Sequence, residues 1–187
     1  FEIQFGNVTR KVHSNTSWDK ARFESCAQKW MDYSEGNYGV SLLNDCKYGM
    51  SAEGSDMRLT LHKGGTRPDP FTDTGIQTMK YSLLPHIGAF DAETVIKPAY
   101  EFNYAPVEVE GKCELPKLFS LTGNGIICEA VKNAEDIENA YVLRLYEAER
   151  NHSVCKLNVG GAKKAYLTNM LEEKEEELEI KDGEVTL

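Results

Sequence analysis

With 187 residues the chain can form one domain or two small ones, burying roughly 70% of its unfolded surface. Its residues are 41% hydrophobic and 27% charged, an ordinary globular composition. Thirty acidic against 21 basic residues leave a net charge of -9, which disfavours nucleic acid and anionic membrane as partners.

No apolar run is long enough to span a bilayer, and no signal peptide is legible. The five cysteines, Cys26, Cys46, Cys113, Cys128 and Cys155, are odd in number and never in C-x-x-C spacing. Neither a disulfide framework nor a structural zinc site is indicated. Buried free thiols in a reducing compartment are expected instead, hence a cytoplasmic location. The chain starts at Phe1, not Met, inside an alternating stretch, so further sequence is expected to precede it.

Residues 1–6 alternate apolar and polar, the period of a half-buried strand. A polar stretch with the turn formers Asn15, Thr16 and Ser17 follows, then a strand over 23–32, turn chemistry over 33–39 and a short buried strand at 40–44. Asn44 and Asp45 read as turn formers rather than ligands. Residues 57–62 and 78–86 alternate again and are expected to pair as a long hairpin. Its loop, 63–77, holds Pro68, Pro70, three Gly and two Asp, which forbid a helix or central strand. Such a loop far exceeds what turn geometry needs, and long ordered loops on sheet scaffolds are usually functional. Arg67, Asp69, Asp73 and Gln77 are its candidate hydrogen-bonding groups.

Asp91 is placed to cap a short helix over 91–102, irregular because of Pro98. A linker containing Pro116 leads to a second β unit with strands near 125–131, 140–146 and 153–159. A terminal hairpin over 178–187 turns at Asp182-Gly183. The run Glu172-Glu173-Lys174-Glu175-Glu176-Glu177 reads as a solvated face. The fold class is mainly β: an antiparallel β-sandwich over 1–116, a smaller one over 117–187, and one short helix.

A reaction centre is not legible. His13, His62, His86 and His152 have no metal-ligand spacing, and His62 and His86 read as strand-end residues. There is no G-x-S-x-G elbow, P-loop or complete G-x-G-x-x-G, and Asp69 with Asp73 is the one suggestive carboxylate pair. The chain is therefore expected to hold no catalytic residue, metal site or cofactor.

A set of motifs in fixed order says more. They are residues 1–10 (FEIQFGNVTR), 30–35 (WMDYSE), 38–49 (YGVSLLNDCKYG), 58–61 (RLTL), then Pro68-Asp69-Pro70, Asp73-Thr74-Gly75 and 81–86 (YSLLPH). With 129–132 (EAVK) and 143–148 (LRLYEA), this resembles the C-terminal β region of the α-mannosidases of glycoside hydrolase family 38, of the bacterial and cytosolic type. The resemblance covers essentially the whole chain. It implies a supersandwich of the galactose mutarotase or β-galactosidase kind, and a full enzyme that hydrolyses terminal α-D-mannosides with retention. Retention needs two carboxyl groups roughly 5 Å apart. The resemblance puts those groups, and a zinc ion, in an N-terminal catalytic domain whose motifs this chain lacks. That domain and mannosides or oligosaccharides are the implied partners. A final strand beyond residue 187 is also implied. Where the family has Asp-x-Gly-x-His before an aromatic residue, this chain has Asp73-Thr74-Gly75-Ile76-Gln77 and then Met79. Gln77 can bond a sugar hydroxyl but cannot titrate near neutrality.

The alternative is a stand-alone carbohydrate-binding module with an exposed aromatic platform, for which Trp18, Trp30 and Tyr38 are the candidates. A structural adhesin fits poorly with five free cysteines. A domain that packs on a catalytic partner should expose an apolar patch on its first sandwich, and a homo-oligomer through that patch is one outcome.

Overall fold

A computed structural model describes residues 1–112 and 118–187. They form two compact units, Phe1–Val107 and Glu108–Leu187. The sequence-based boundary between residues 116 and 117, with Pro116 and Cys113, lies outside the described residues. Mainly antiparallel β structure is found, as expected.

The alternating residues 1–6 belong to a tight hairpin, β1 (Glu2–Ile3) against β2 (Gly6–Asn7), folded back at Phe5 with φ 54°. Asn15, Thr16 and Ser17 do not simply turn the chain. Thr16 caps a second helix that sequence reading missed, α1 (Ser17–Ala21), in a capping box with Asp19. The strand expected over 23–32 is two strands, β3 (Ser25–Cys26) and β4 (Trp30–Glu35). Between them the chain steps from one sheet to another. The Ala27 amide bonds the Tyr48 carbonyl, and the Lys29 amide and ammonium both bond the buried Glu2 carboxylate.

β5 (Tyr38–Asn44), β6 (Gly49–Glu53), β7 (Asp56–Leu59) and β8 (Tyr81–Ile87) complete the first unit's strands. They form two three-stranded sheets, β3-β6-β7 and β4-β5-β8. The long hairpin expected across residues 57–86 is therefore absent. β7 pairs with β6 through the two-residue Gly54-Ser55 turn, and β8 pairs with β5. Residues 60–80 are a crossover between sheets. Alternation identifies strands but not their partners, and a two-residue turn outcompetes a long loop for closure. Gly49–Glu53 escaped notice because it lacks the β-branched residues that mark strands.

β5 is the middle of its sheet, and Ser41, Leu42, Leu43 and Asn44 are all buried. On one face Leu42 packs with Met31, Ala27 and Met50, bordered by Phe1, Ala52, Met57 and Leu59. On the other, Trp30 meets Phe90 at 5.1 Å between ring centroids, and α2 (Lys97–Asn103) lies against β5. The expected irregular helix is thus present. Asp91 caps a π-helical turn over Ala92–Ile96, and Pro98 sits in the first turn of α2, where its missing N–H costs nothing. Asn44 ties these pieces together: its Nδ2 donates to the Gln28 carbonyl (2.6 Å), its Oδ1 accepts the Lys47 amide (2.6 Å), and its carbonyl accepts from Asn103 (3.0 Å). Asp45 likewise accepts the Lys80 amide at 2.9 Å, so both are structural, as read.

In the second unit β10 (Ile126–Asn133) pairs with β11 (Tyr141–Glu147), with a bulge between Cys128 and Ala130. β12 (Lys156–Asn158) is flanked by β9 (Ser120–Thr122) and β15 (Glu184–Thr186), and β13 (Ala165–Thr168) pairs with β14 (Lys174–Leu178). The terminal hairpin shrinks to a Lys181–Glu184 bridge around Asp182-Gly183, because Leu178 already belongs to β14 and β15 pairs with β12. The glutamate run is a solvated strand face, and Glu172 leaves it to bond Lys132 at 2.6 Å and the Glu135 amide at 2.9 Å. Burial of the thiols is narrower than expected: Cys155 is buried and Cys128 half-buried, but Cys26 and Cys46 are exposed.

Two stability outcomes follow from these contacts. Asn44→Ala should lose about 3 kcal/mol in urea unfolding, from two lost buried hydrogen bonds and their orphaned partners, whereas Asp91→Ala should lose about 1 kcal/mol, one cap. The Lys132 ammonium, then the Glu135 amide, hold the Glu172 carboxyl below its ordinary value. This contribution is complete above the usual carboxylate range and lost as pH falls below it. Glu172→Gln should flatten that acid limb of the stability profile.

Candidate functional site

The crossover carries the four residues singled out by sequence, and the structure does not gather them into a site. Residues 61–78 are all exposed. The Asp69 carboxylate accepts the Phe71 amide (2.9 Å), and Thr72 and Thr74 hydroxyls donate to the carbonyls of Asp69 (3.0 Å) and Phe71 (2.9 Å). Asp69 is thus spent on its own turn. The Gln77 side chain reaches, among the described residues, only the Asp73 carbonyl, at 3.5 Å. Among the described residues no hydrogen bond or ion pair engages the Asp73 carboxylate or the Arg67 guanidinium. The tip also presents Phe71 and Ile76 to solvent.

A second cluster went unread. The register of the central sheet sets Asp32 opposite Ser41 and Gly39 opposite His86. The Asp32 carboxylate accepts His86 Nε2–H at 2.7 Å and Ser41 Oγ–H at 2.8 Å on Oδ1, and Ser34 Oγ–H at 2.5 Å on Oδ2. The Asp32 and His86 side chains are 5% and 4% exposed. His86 stands near the end of β8, as expected, but it is buried in a polar cluster. The single legible signal was Asp32 alternating with Trp30 and Ser34, and its partners lie too far along the chain to be paired by spacing. Gly39 makes the cluster possible: a Cβ there would lie 2.3 Å from His86 Cε1.

The order of these bonds decides what the cluster can do. In a nucleophilic triad the imidazole stands between hydroxyl and carboxylate. Here Ser41 Oγ (2.8 Å) and His86 Nε2 (2.7 Å) meet the same Asp32 oxygen, and Ser41 Oγ lies a longer 3.4 Å from His86 Nε2, so the imidazole does not stand between hydroxyl and carboxylate. Among the described residues no three His, Cys, Asp or Glu side chains are grouped to hold a metal ion, and Asp32 with His86 is a pair whose facing atoms already bond each other. The cluster is scaffolding for one wall of a groove.

That groove, about 300 Å³, lies along β4 and is lined by Trp30, Asp32, Ser34 and Glu35 with Phe90 and Arg10. Trp30 Nε1 is buried and has no acceptor among the described residues. Neither Arg10 nor Glu35 has an ion-pair partner among them. A neighbouring groove of about 510 Å³ runs past Arg10 to His13 and Arg22. There Asp19 is held below the usual carboxylate range by the Thr16 amide, and by the Thr16 hydroxyl after it.

The proposed aromatic platform does not exist as a unit. Trp18 is 77% exposed and Tyr38 55%, but Trp30 is core at 1%. An apolar stripe is found elsewhere: Tyr81, Leu83, Pro85 and Ile87 alternate along β8, all exposed, beside Tyr38. They share the sheet face of buried Leu42, on a strand that, among the described residues, pairs on one side alone.

Gly39→Ala should destabilise the first unit by about 2 kcal/mol through steric overpacking against His86. Gly6→Ala, where nothing lies within 4 Å of the added carbon, should change stability by less than about 0.5 kcal/mol. Thermal unfolding of the two variants checks the contrast.

Comparison with known proteins places this geometry. The profile of the Glycosyl hydrolases family 38 C-terminal domain matches residues 1–71, and that of the Glycosyl hydrolases family 38 C-terminal beta sandwich domain matches residues 125–187. The chain is 41% identical over 179 residues to Alpha-mannosidase 2C1 of Homo sapiens, covering 92% of this chain and 17% of that protein. It is 40% identical over 180 residues to Alpha-mannosidase of Saccharomyces cerevisiae, covering 84% and 16%. Alpha-mannosidase G of Dictyostelium discoideum is 40% identical over 155 residues, with 79% and 14% covered. The chain thus spans less than a fifth of the length of these relatives.

Proposed function

This chain belongs to glycoside hydrolase family 38 as a C-terminal β region, and from that premise we propose that it is the non-catalytic rear part of an α-mannosidase. The full enzyme hydrolyses terminal α-D-mannosides with retention, using two carboxyl groups roughly 5 Å apart and a zinc ion, both held in its catalytic domain. The observation that carries this reading is the 41% identity to the human relative across 92% of the chain. The residues here do not fit zinc, since no suitable cluster is found among those described. Their work is to support, not to react.

The β8 stripe supports a docking role. Four exposed residues on the core-side face of an edge strand, three of them large and apolar, form a surface that a partner covers, and the catalytic domain is the partner proposed. Alone in solution, the same stripe favours self-association into a homo-oligomer. The crossover reaches toward the mannosidase pocket, where Arg67 and Asp73, neither with a side-chain partner among the described residues, bond sugar hydroxyls or neighbouring loops. Gln77 assists them, while Asp69 shapes the turn that presents them. The location proposed is the cytoplasm, where the exposed thiols Cys26 and Cys46 stay reduced. No helix among the described residues is long and apolar enough to cross a membrane.

The isolated chain should not cleave an aryl α-mannoside, with or without added zinc. In the full enzyme Asp73→Ala should lower kcat/KM about tenfold while Tm barely moves, and Asp69→Ala should lower both. Unchanged kinetics in both variants would make the crossover purely structural. Zinc-dependent turnover by the isolated chain, abolished by one substitution within it, would refute the supporting role.

A further inference from the structure

Helix α1 is formed without a core of its own. It is five residues long and buries none of them, whereas isolated helices shorter than about 12 residues are marginal in water. Its capping box is complete, yet Trp18 within it is 77% exposed and Phe23 just beyond it 72%. Two large aromatic side chains so close in the chain are wasted on solvent unless another surface covers them.

The charge of this segment is equally one-sided. From Thr9 to Phe23 stand Arg10, Lys11, Lys20 and Arg22 against one carboxylate, Asp19, in a chain of net charge -9. Asp19 is already committed: it accepts from the Asn15 amide at 3.2 Å and from the Thr16 amide and hydroxyl at 2.9 Å each. Glu24 follows, but its carboxylate takes the Thr60 hydroxyl. None of the four cations has an ion-pair partner among the described residues. Arg10, Lys11 and Arg22 stand with His13 along the groove of about 510 Å³. One unpaired cation on a surface is ordinary. Four of them beside two exposed aromatics make a face that complements carboxylates and apolar side chains together, and tryptophan and arginine dominate the energetics of protein interfaces. A small anion would use the cations and leave Trp18 and Phe23 in water.

The occupant follows from where the chain enters. Phe1 lines the same groove, and the matched region is less than a fifth of the length of the relatives. In a protein of that kind the polypeptide ahead of Phe1 leaves from this wall, which holds its carboxylates at high effective concentration over the basic face. We propose that the Arg10–Phe23 face docks on an acidic, apolar-bearing surface of the polypeptide that precedes Phe1 in the full-length protein. This rests on the reading of the chain as the C-terminal region of a longer enzyme, and it adds to the β8 stripe a second contact held by charge as well as apolar area. Carboxylates of the partner surface pair with the guanidinium and ammonium groups, and its apolar side chains cover Trp18 and Phe23.

The test sets the full-length protein beside this chain. A carbodiimide, which joins an amine directly to a carboxylate, should link Lys11 and Lys20 of the full-length protein to aspartates or glutamates ahead of Phe1, read by peptide mass spectrometry. Hydroxyl-radical oxidation of Trp18 should be several-fold slower in the full-length protein than in this chain. Arg10→Glu with Arg22→Glu should restore most of that oxidation in the full-length protein, while the circular dichroism of this chain stays unchanged by the pair. Equal oxidation of Trp18 in both forms, or links from Lys11 and Lys20 confined to these 187 residues, overturns the proposal. If inorganic phosphate shifts the His13 resonances of this chain while Trp18 stays reactive in the full-length protein, the groove holds a small anion and the proposal fails. Turnover of an aryl α-mannoside is scored on the same full-length protein. An active protein with reactive Trp18 refutes this face alone, and an inactive one with protected Trp18 refutes the mannosidase reading alone.

Discussion

The first unit depends on strand β5 being covered on both faces and paired on both edges. Leu42 points into the small core shared with β3-β6-β7, and Asn44 fixes the return of the chain from Gln28, Lys47 and Asn103. The Ser41 hydroxyl, with no measurable exposure, is tolerable because Asp32 accepts from it. A buried carboxylate is costly unless its oxygens are satisfied, which binds β4, β5 and β8 into one network. Polar groups, as much as apolar area, therefore specify how these strands align.

This construction leaves particular surfaces unfinished. β8 gives its inward residue His86 to the network and its alternate residues Tyr81, Leu83, Pro85 and Ile87 to solvent. A free edge strand with an apolar face is a hazard in an isolated domain, and Pro85 fits only because β8 has a partner on one side. Docking on the proposed partner domain would cover it. The acidic second unit differs: its β14 face is glutamate-rich and solvated, which suits a surface that stays in water.

The sequence made the β class, the buried strand at β5, the Asp91 cap and the Asp182-Gly183 turn legible, because each depends on neighbours within a few residues. Topology was not legible. Met57 and Tyr81 both lie in alternating stretches, yet their partners are set by the Gly54-Ser55 turn and by burial, which a one-dimensional pattern does not encode. The Thr16–Asp19 box was visible as residues but hidden by the absence of any buried position in α1. The Asp32–His86 pair spans 54 positions and exists only once the register is known. Arg67, Asp69, Asp73 and Gln77 lie on one exposed segment, which is an inter-sheet crossover rather than the expected hairpin loop, with polar groups partly spent on its own turns.

The central claim is that this region is a supporting layer whose β8 face is covered by the rest of an α-mannosidase. Hydroxyl-radical footprinting of Tyr81, Leu83 and Ile87, in this chain and in the full-length enzyme, addresses it most directly. The account predicts strong labelling of all three in the isolated chain and protection in the full enzyme, with buried Met50 protected in both. Equal labelling of the β8 residues in the two forms would contradict it.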